Sequence, residues 1–158
     1  MLPVILVVIA VAGWVLSSYQ KEAGIIDATK GGPEAVSAAL TARDYAQSDG
    51  ADDYQVFGDA LLVAEVSRRN LPLLNTADTR VAHLLVLALD CLYAAREAWQ
   101  ADIDSAWDPA VQGVAAYWQV LHPALTVPDG AALTPAEIRR LAVEQATSIL
   151  QQAADLVT

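Results

Sequence analysis

Residues 76–106 read TADTRVAHLLVLALDCLYAAREAWQADIDSA, and apolar side chains recur along this stretch at alternating steps of four and three residues. The positions with this spacing are Val81, Leu85, Ala88, Leu92, Ala95 and Trp99. Residues three and four positions apart share one face of an α-helix, so the spacing predicts a long helix with its apolar seam in an antiparallel bundle. We expect Asn75 or Thr76 to cap this helix and the helix to end at about Ala106.

Shorter helices are predicted before this segment. Pro33 stands in a favoured first-turn position and opens a helix to about Gln47. Residues 48–51 form a polar loop, and Asp52 is expected to cap a helix that continues to about Asn70, before Pro72.

Two more helices are predicted after it. Asp108-Pro109 starts one that ends before His122-Pro123, because a residue preceding proline is kept out of helical geometry. Thr134-Pro135-Ala136-Glu137 is a capping box that opens the last helix. The face predicted for that helix contains Ile138, Leu141, Gln145, Ile149, Ala153 and Leu156. The fold class is therefore all-α, with an acidic bundle of about five helices over residues 33–158.

The first twenty residues contain no charged side chain, and all nineteen acidic and nine basic residues lie at Lys21 or beyond. A helix needs about 20 apolar residues to cross a bilayer, so residues 1–20 predict a transmembrane anchor and 21–32 a linker. The alternative is a cleaved signal peptide, since Ala10-Val11-Ala12 resembles a cleavage site, but no Lys or Arg precedes the apolar stretch. We expect a retained anchor and a single-pass cell-membrane protein, with the side of the helical domain left open.

The anchor carries a possible packing face. Leu6, Ala10, Gly13 and Ser17 follow 4-3-4 spacing, and the three small residues would let another membrane helix approach closely. These residues are the predicted contacts with other membrane-protein subunits, while the rest of the anchor faces the lipid bilayer.

Composition excludes several classes of function. The net charge is −10 and the pI about 4.3, so nucleic-acid phosphates and anionic headgroups would repel the domain as a whole. Nucleic acid is therefore not an expected partner. A single cysteine, Cys91, forms neither an internal disulfide nor a cysteine-based metal cage.

No constellation of residues predicts catalysis, a cofactor or a metal. His83 and His122 belong to no metal-binding motif, and each is expected to be a partly buried, hydrogen-bonded histidine. Asp102, Asp104 and Asp108 resemble part of a calcium loop, but the turn glycine and the closing glutamate are missing. Asp90, set among apolar residues, is expected on the polar face of its helix. Burial of Asp90 at a functional site is the alternative.

Aromatic residues are concentrated in one quarter of the chain: Tyr93, Trp99, Trp107, Tyr117 and Trp118. Such a cluster forms either the core beside the long helix or an interface for a partner protein. The core is the first expectation. Tyr117 and Trp118 are the candidate partner-binding residues if their edge is exposed.

These observations together favour a non-catalytic, single-pass accessory subunit of a larger membrane complex. Small subunits of respiratory or photosynthetic electron-transfer complexes have this layout, which is a similarity of architecture and not of motif. The alternatives are an exported helical domain that binds a small ligand or protein, and a membrane-tethered enzyme with a pocket around Asp90, His83 or His122.

Overall fold

The computed structural model describes residues 31–50, 52–130 and 132–158, and this part of the chain is all-α. It contains five helices and no strand: α1 (Gly32–Ala46), α2 (Asp53–Arg69), α3 (Thr76–Ile103), α4 (Ala115–Leu121) and α5 (Pro135–Val157). The predicted fold class and helix number are thus confirmed for these residues. The anchor predicted over residues 1–20, with Leu6, Ala10, Gly13 and Ser17, lies outside them. None of the described helices combines the length and apolarity that crossing a membrane requires.

The four long helices α1, α2, α3 and α5 run alternately in opposite directions. Gly32 opens α1 beside the end of α5, and a Cβ atom at position 32 would lie 2.8 Å from Val157 Cγ1. At the other end of the bundle, the Arg139 Nε–H near the start of α5 donates to the carbonyl oxygen of Ala46 at 3.0 Å. We call the end with Gly32 and Val157 the proximal end, and the end with Ala46 and Arg139 the distal end.

The centre of the bundle is α3, whose most extensive contact is with α5. All six residues of the predicted seam are buried, and Leu85, Ala88, Leu92 and Ala95 have no exposed surface. The seam is confirmed. Alanine at several of the contacting positions lets the helix axes approach closely, which increases van der Waals contact along the whole interface.

The face predicted for α5 is only partly correct. Ile138 and Ala153 are buried, but the other four predicted residues are only partly buried. The buried positions are Ile138, Ala142, Val143, Ala146, Leu150 and Ala153. The buried stripe is rotated because Gln145 packs against the loop before α5, where its side chain exchanges two hydrogen bonds with the backbone of Thr126 at 2.7 and 2.8 Å.

The helix caps agree with the sequence at two of three positions. The Asn75 side chain accepts a hydrogen bond from the backbone N–H of Asp78, and Thr134 with Glu137 forms the predicted capping box. Asp52 occupies the N-cap position of α2 but makes no capping hydrogen bond with its side chain. At that corner the Ser48 hydroxyl is instead hydrogen-bonded to the Asp53 carboxylate.

The end of α3 differs from the prediction by three residues. The helix stops at Ile103, because Ser105 adopts a left-handed conformation with φ 51°. The N–H of Ala106 donates to the carbonyl of Ala101 at 2.8 Å, and that of Ser105 to Asp102 at 3.1 Å. These two bonds form a Schellman motif, which satisfies the terminal carbonyls and turns the chain away from the helix axis.

The start predicted for the fourth helix, at Asp108-Pro109, is wrong. Residues 108–112 make a single turn, and α4 begins only at Ala115. A Cβ atom at position 113 would lie 2.3 Å from the carbonyl oxygen of Pro109, so this close approach requires glycine. The carbonyls of Gln112 and Gly113 accept hydrogen bonds from the Trp118 indole and from the N–H of Leu133, so neither is available to continue a helix.

We predict that Leu92→Asp unfolds the bundle. Leu92 is fully buried in the seam, and a carboxylate placed there would have no partner. Val86→Asp is the control, since Val86 lies on the same helix with 45% of its surface exposed. Circular dichroism of the full chain in a mild detergent should show loss of cooperative melting for Leu92→Asp only. If Leu92→Asp and Val86→Asp melt cooperatively at the same temperature, the assignment of Leu92 to the buried seam is wrong.

Candidate functional site

The most densely connected polar group in the described residues is centred on His122, at the end of α4. The helix ends at Leu121, and His122 leaves helical geometry with φ −130° and ψ 80°, as expected for a residue that precedes proline. Its side chain thereby turns toward α3, and only 8% of His122 remains exposed. The predicted end of this helix is confirmed, and so is the expectation of a partly buried, hydrogen-bonded histidine at this position.

Two carboxylates of α3 lie on opposite sides of the imidazole ring. Nδ1 of His122 is 3.0 Å from Asp90 Oδ1, and Nε2 is 3.0 Å from Glu97 Oε2. Asp90 and Glu97 are seven residues apart, so two helical turns bring them to the same side of α3. The remaining oxygen of Glu97 accepts a hydrogen bond of 2.6 Å from the Tyr117 hydroxyl. We call these four residues the His122 clamp.

The second oxygen of Asp90 holds the turn that follows α4. Asp90 Oδ2 accepts a hydrogen bond of 2.9 Å from the backbone N–H of Ala124. The Asp90 side chain is therefore only 26% exposed and points at the α4 segment. Asp90 thus shares one side of α3 with Glu97, as expected for the polar face of the helix, and the α4 segment partly covers that side.

Each ring nitrogen of His122 faces one carboxylate oxygen of α3. A neutral imidazole has one N–H donor, so both ring contacts are hydrogen bonds only when His122 is protonated. In that state one imidazolium faces Asp90 and Glu97, and charge-assisted hydrogen bonds join α3 to α4 on both sides of the ring. Every polar atom of the imidazole is then occupied within the chain.

Two neighbouring groups have shifted pKa values. The hydrogen bond to Glu97, assisted by burial and by the Glu97 charge, raises the pKa of Tyr117 to about 12. Burial, assisted by the charge of Asp90, raises the pKa of the Cys91 thiol to about 12. Cys91 is fully buried and mostly protonated at neutral pH, so it is a poor nucleophile.

A cleft of about 660 Å³ opens beside the clamp. Its lining includes Tyr54, Tyr93, Arg96, Glu97, Gln100, Asp104, Gln112 and His122. The guanidinium of Arg96 lies 5.4 Å from the centre of the Tyr54 ring. Arg96 forms no ion pair with another described residue, and its buried Nε has no hydrogen-bond partner among them. Arg96 is thus the cation in the lining of this cleft that has capacity left for a ligand.

Four of the five aromatic residues predicted as core or interface lie in two stacks, whereas Tyr93 is 36% exposed and belongs to neither stack. Trp118 is fully buried, stacks on Trp107 with ring centres 5.9 Å apart, and donates its indole N–H to Gln112. Tyr117 is partly buried against the face of Trp118. Trp99 forms the second stack with Phe57, and the Arg139 guanidinium lies 3.6 Å from the centre of the Trp99 ring. Trp118 is therefore part of the core within this chain.

The other candidate residues are not brought together. His83 is exposed on α3, so the expectation that it is partly buried is wrong. Among the described residues, no group of three or more His, Cys, Asp or Glu side chains could hold a metal ion. In the clamp this follows from geometry, because Asp90 and Glu97 contact different nitrogens on opposite sides of the ring and do not converge on one point.

The clamp as a unit was missed at the sequence level, although each member except Glu97 was considered. Asp90 and His122 are 32 residues apart, and no local spacing relates them. Two sequence features together could have indicated the clamp. The long helix has two carboxylates seven residues apart on one side, and a histidine that precedes proline ends the short helix. With its polar atoms paired to each other, the clamp is suited to fixing α4 on α3 and contains no free general base or activated nucleophile.

Comparisons with known proteins return no relative. No protein-family model matches the chain, and neither a curated protein nor a solved structure matches it significantly.

We predict that Asp90→Ala destabilises the protein by about 1–3 kcal/mol, since it leaves the N–H of Ala124 and one ring nitrogen of His122 without acceptors. Asp90→Asn keeps one acceptor and should cost less. Asp129→Ala, at an exposed loop position, is the control. Urea unfolding measures the three free energies. A free energy of unfolding for Asp90→Ala equal to that of Asp129→Ala would show that the clamp does not stabilise the fold.

We predict that Tyr117→Phe reduces the loss of stability at alkaline pH. The folded protein keeps the Tyr117 proton up to a pKa of about 12, whereas an unfolded tyrosine loses it near about pH 10. The hydrogen bond therefore stabilises the fold fully below pH ~10, and its contribution falls between about pH 10 and 12. The measurement is the free energy of unfolding at neutral pH and in that range.

Tyr45→Phe is the control for this experiment, because Tyr45 is exposed and its hydroxyl makes no hydrogen bond among the described residues. If Tyr117→Phe and the wild type lose the same stability across the alkaline range, the Tyr117–Glu97 hydrogen bond does not form in solution.

Proposed function

We propose that this protein is a non-catalytic, single-pass accessory subunit of a larger membrane complex, with residues 1–20 as its anchor. The observation that carries the proposal is the position of the apolar stretch, which comes before the proximal end of the bundle. The uncharged apolar stretch precedes Gly31, and the chain enters the bundle at its proximal end. The long axis of the bundle then leads away from that point, which suits a domain standing on a membrane.

Charge also differs between the two ends of this axis, and the distal end is the more acidic one. Residues 43–53, 102–104 and 134–140 at the distal end contain seven carboxylates and three arginines. Residues 31–34, 65–80 and 155–158 at the proximal end contain four carboxylates and three arginines. An acidic surface is repelled by anionic headgroups, so this distribution favours a bundle whose distal end points away from the bilayer.

A structural role agrees with the interior of the domain. The titratable side chains of the clamp are paired with each other, and the single thiol is buried with a raised pKa. Exposed apolar side chains lie on α4 and at its N-cap, namely Val114, Val120 and Leu121, with Val120 77% exposed. Paired polar groups in the interior and apolar groups on the surface favour protein contact over chemistry. The similarity of layout to small subunits of electron-transfer complexes remains the architectural guide to the kind of assembly.

A second candidate function is the binding of a small ligand in the cleft. The guanidinium of Arg96 favours it, since it lines the cleft and forms no ion pair with a described residue. Carboxylate and phosphate groups are the ones that a guanidinium binds with two parallel hydrogen bonds. Native mass spectrometry distinguishes the two candidates. A stoichiometric small molecule on the free monomer, lost in Arg96→Gln, would favour ligand binding over the subunit role.

We predict that the protein stays in the membrane pellet during alkaline carbonate extraction and co-migrates with a large assembly in blue-native gels. Gly13→Leu should reduce that co-migration without releasing the protein from the pellet. The larger side chain forces the two helices apart, and close van der Waals contact is the main attraction between helices in lipid.

Val7→Leu and Val8→Leu are the matched controls, because they add bulk on other faces of the predicted anchor. Release by carbonate, or a mature N-terminus at Gly13, would refute the anchor. If Gly13→Leu co-migrates with the assembly as much as the wild type does, the helical domain and not the anchor face makes the contact with the other subunits.

A further inference from the structure

The loop between α2 and α3 exposes two adjacent leucines at the proximal end. Leu73 is 60% and Leu74 82% exposed, and Leu74 is the most exposed large hydrophobic residue of the described chain. The neighbouring Leu71 is buried, so the loop places one leucine in the core and two outside it. Exposed leucines at the tip of a loop have a cost in water that contact with an apolar environment removes.

The loop is held in a fixed conformation. The backbone N–H of Leu74 donates to Asp78 Oδ2 at 3.0 Å, and the N–H of Asp78 donates to Asn75 Oδ1 at 2.9 Å. Leu74 precedes the N-cap of α3, where an apolar residue often packs on the fourth helical residue. That residue is the exposed Thr79, so Leu74 has no such partner. The capped helix thus holds the backbone of Leu74 in place, with the exposed side chains of Leu73 and Leu74 at the surface.

The position of the loop relative to the predicted anchor indicates which apolar environment the two leucines would contact. Residues 21–30, between the predicted anchor and Gly31, are ten residues and span at most roughly 36 Å when fully extended. The proximal end therefore remains near the bilayer surface, whereas α3, with 28 residues and a length of about 42 Å, carries the distal end away. The near balance of charge at the proximal end removes the repulsion from headgroups that the whole domain would experience.

We infer that Leu73 and Leu74 insert into the interfacial region of the lipid bilayer and form a second membrane contact beside the anchor. This inference rests on the proposed anchoring of the chain. Two attachment points fix the tilt and rotation of the bundle, which a single tether would leave free. The distal end and α4 are then presented to a partner subunit in one orientation, and the entropy lost on association is smaller.

Site-directed fluorescence tests the contact in the full chain. Variants with one added cysteine, Leu73→Cys or Leu74→Cys, are reconstituted into phosphatidylcholine vesicles and labelled with an environment-sensitive nitrobenzoxadiazole dye. Cys91 stays unlabelled in the folded protein because it is fully buried and the pKa of its thiol is raised to about 12. The controls are Val86→Cys on the side of the bundle and Ile103→Cys at the distal end, whose native side chains are 45% and 50% exposed.

The expected result is a blue-shifted emission at positions 73 and 74 that lipid-borne doxyl groups quench, and water-like, unquenched emission at 86 and 103. Water-like emission at 73 and 74 in a protein that resists carbonate extraction would overturn the inference and leave the anchor intact. Release by carbonate would refute the anchor itself. Burial of the dye in native membranes but not in lipid vesicles would assign the leucines to a protein partner and would also overturn the inference.

Discussion

The described fold depends on the close contact between α3 and α5. Small side chains such as Ala88, Ala142 and Ala146 are fully buried, so two long helices can approach without leaving cavities. With α5 packed along its length, α3 becomes the central element against which α1 and α2 complete the bundle. The same packing places Trp99 below Arg139 and within reach of Phe57, and this stack closes the distal end.

A short helix outside the four-helix arrangement needs a different kind of attachment. Seven residues are too few for α4 to be stable alone, so it depends on tertiary contacts. Trp118 supplies the apolar contact, and the His122 clamp supplies the polar one through Asp90 and Glu97. The cleft with Arg96 lies beside this attachment, so the pairing of His122 also shapes the surface on which a ligand or partner would bind.

The bundle has two unlike ends, and this difference connects the fold with the proposed role. The distal end concentrates carboxylates, while the proximal end is near neutral and exposes Leu73 and Leu74. If the domain is tethered at its proximal end, as proposed, the two leucines would contact the bilayer where charge does not oppose them. The acidic distal end and the apolar surface of α4 would then be available to other subunits.

Most of the helices and the seam are predictable from the sequence, since 4-3 spacing, Asn75, Pro33 and the capping box at Thr134 are local signals that act within one or two turns. The proposed anchoring likewise rests on a local signal, the uncharged apolar stretch. What lies opposite each helix face depends instead on tertiary packing. The rotation of α5, the late start of α4 and the pairing of Asp90 with His122 depend on contacts between residues far apart in the chain. Local periodicity indicates which side of a helix is apolar. It does not indicate which neighbour covers a carboxylate, because that depends on how the helices pack.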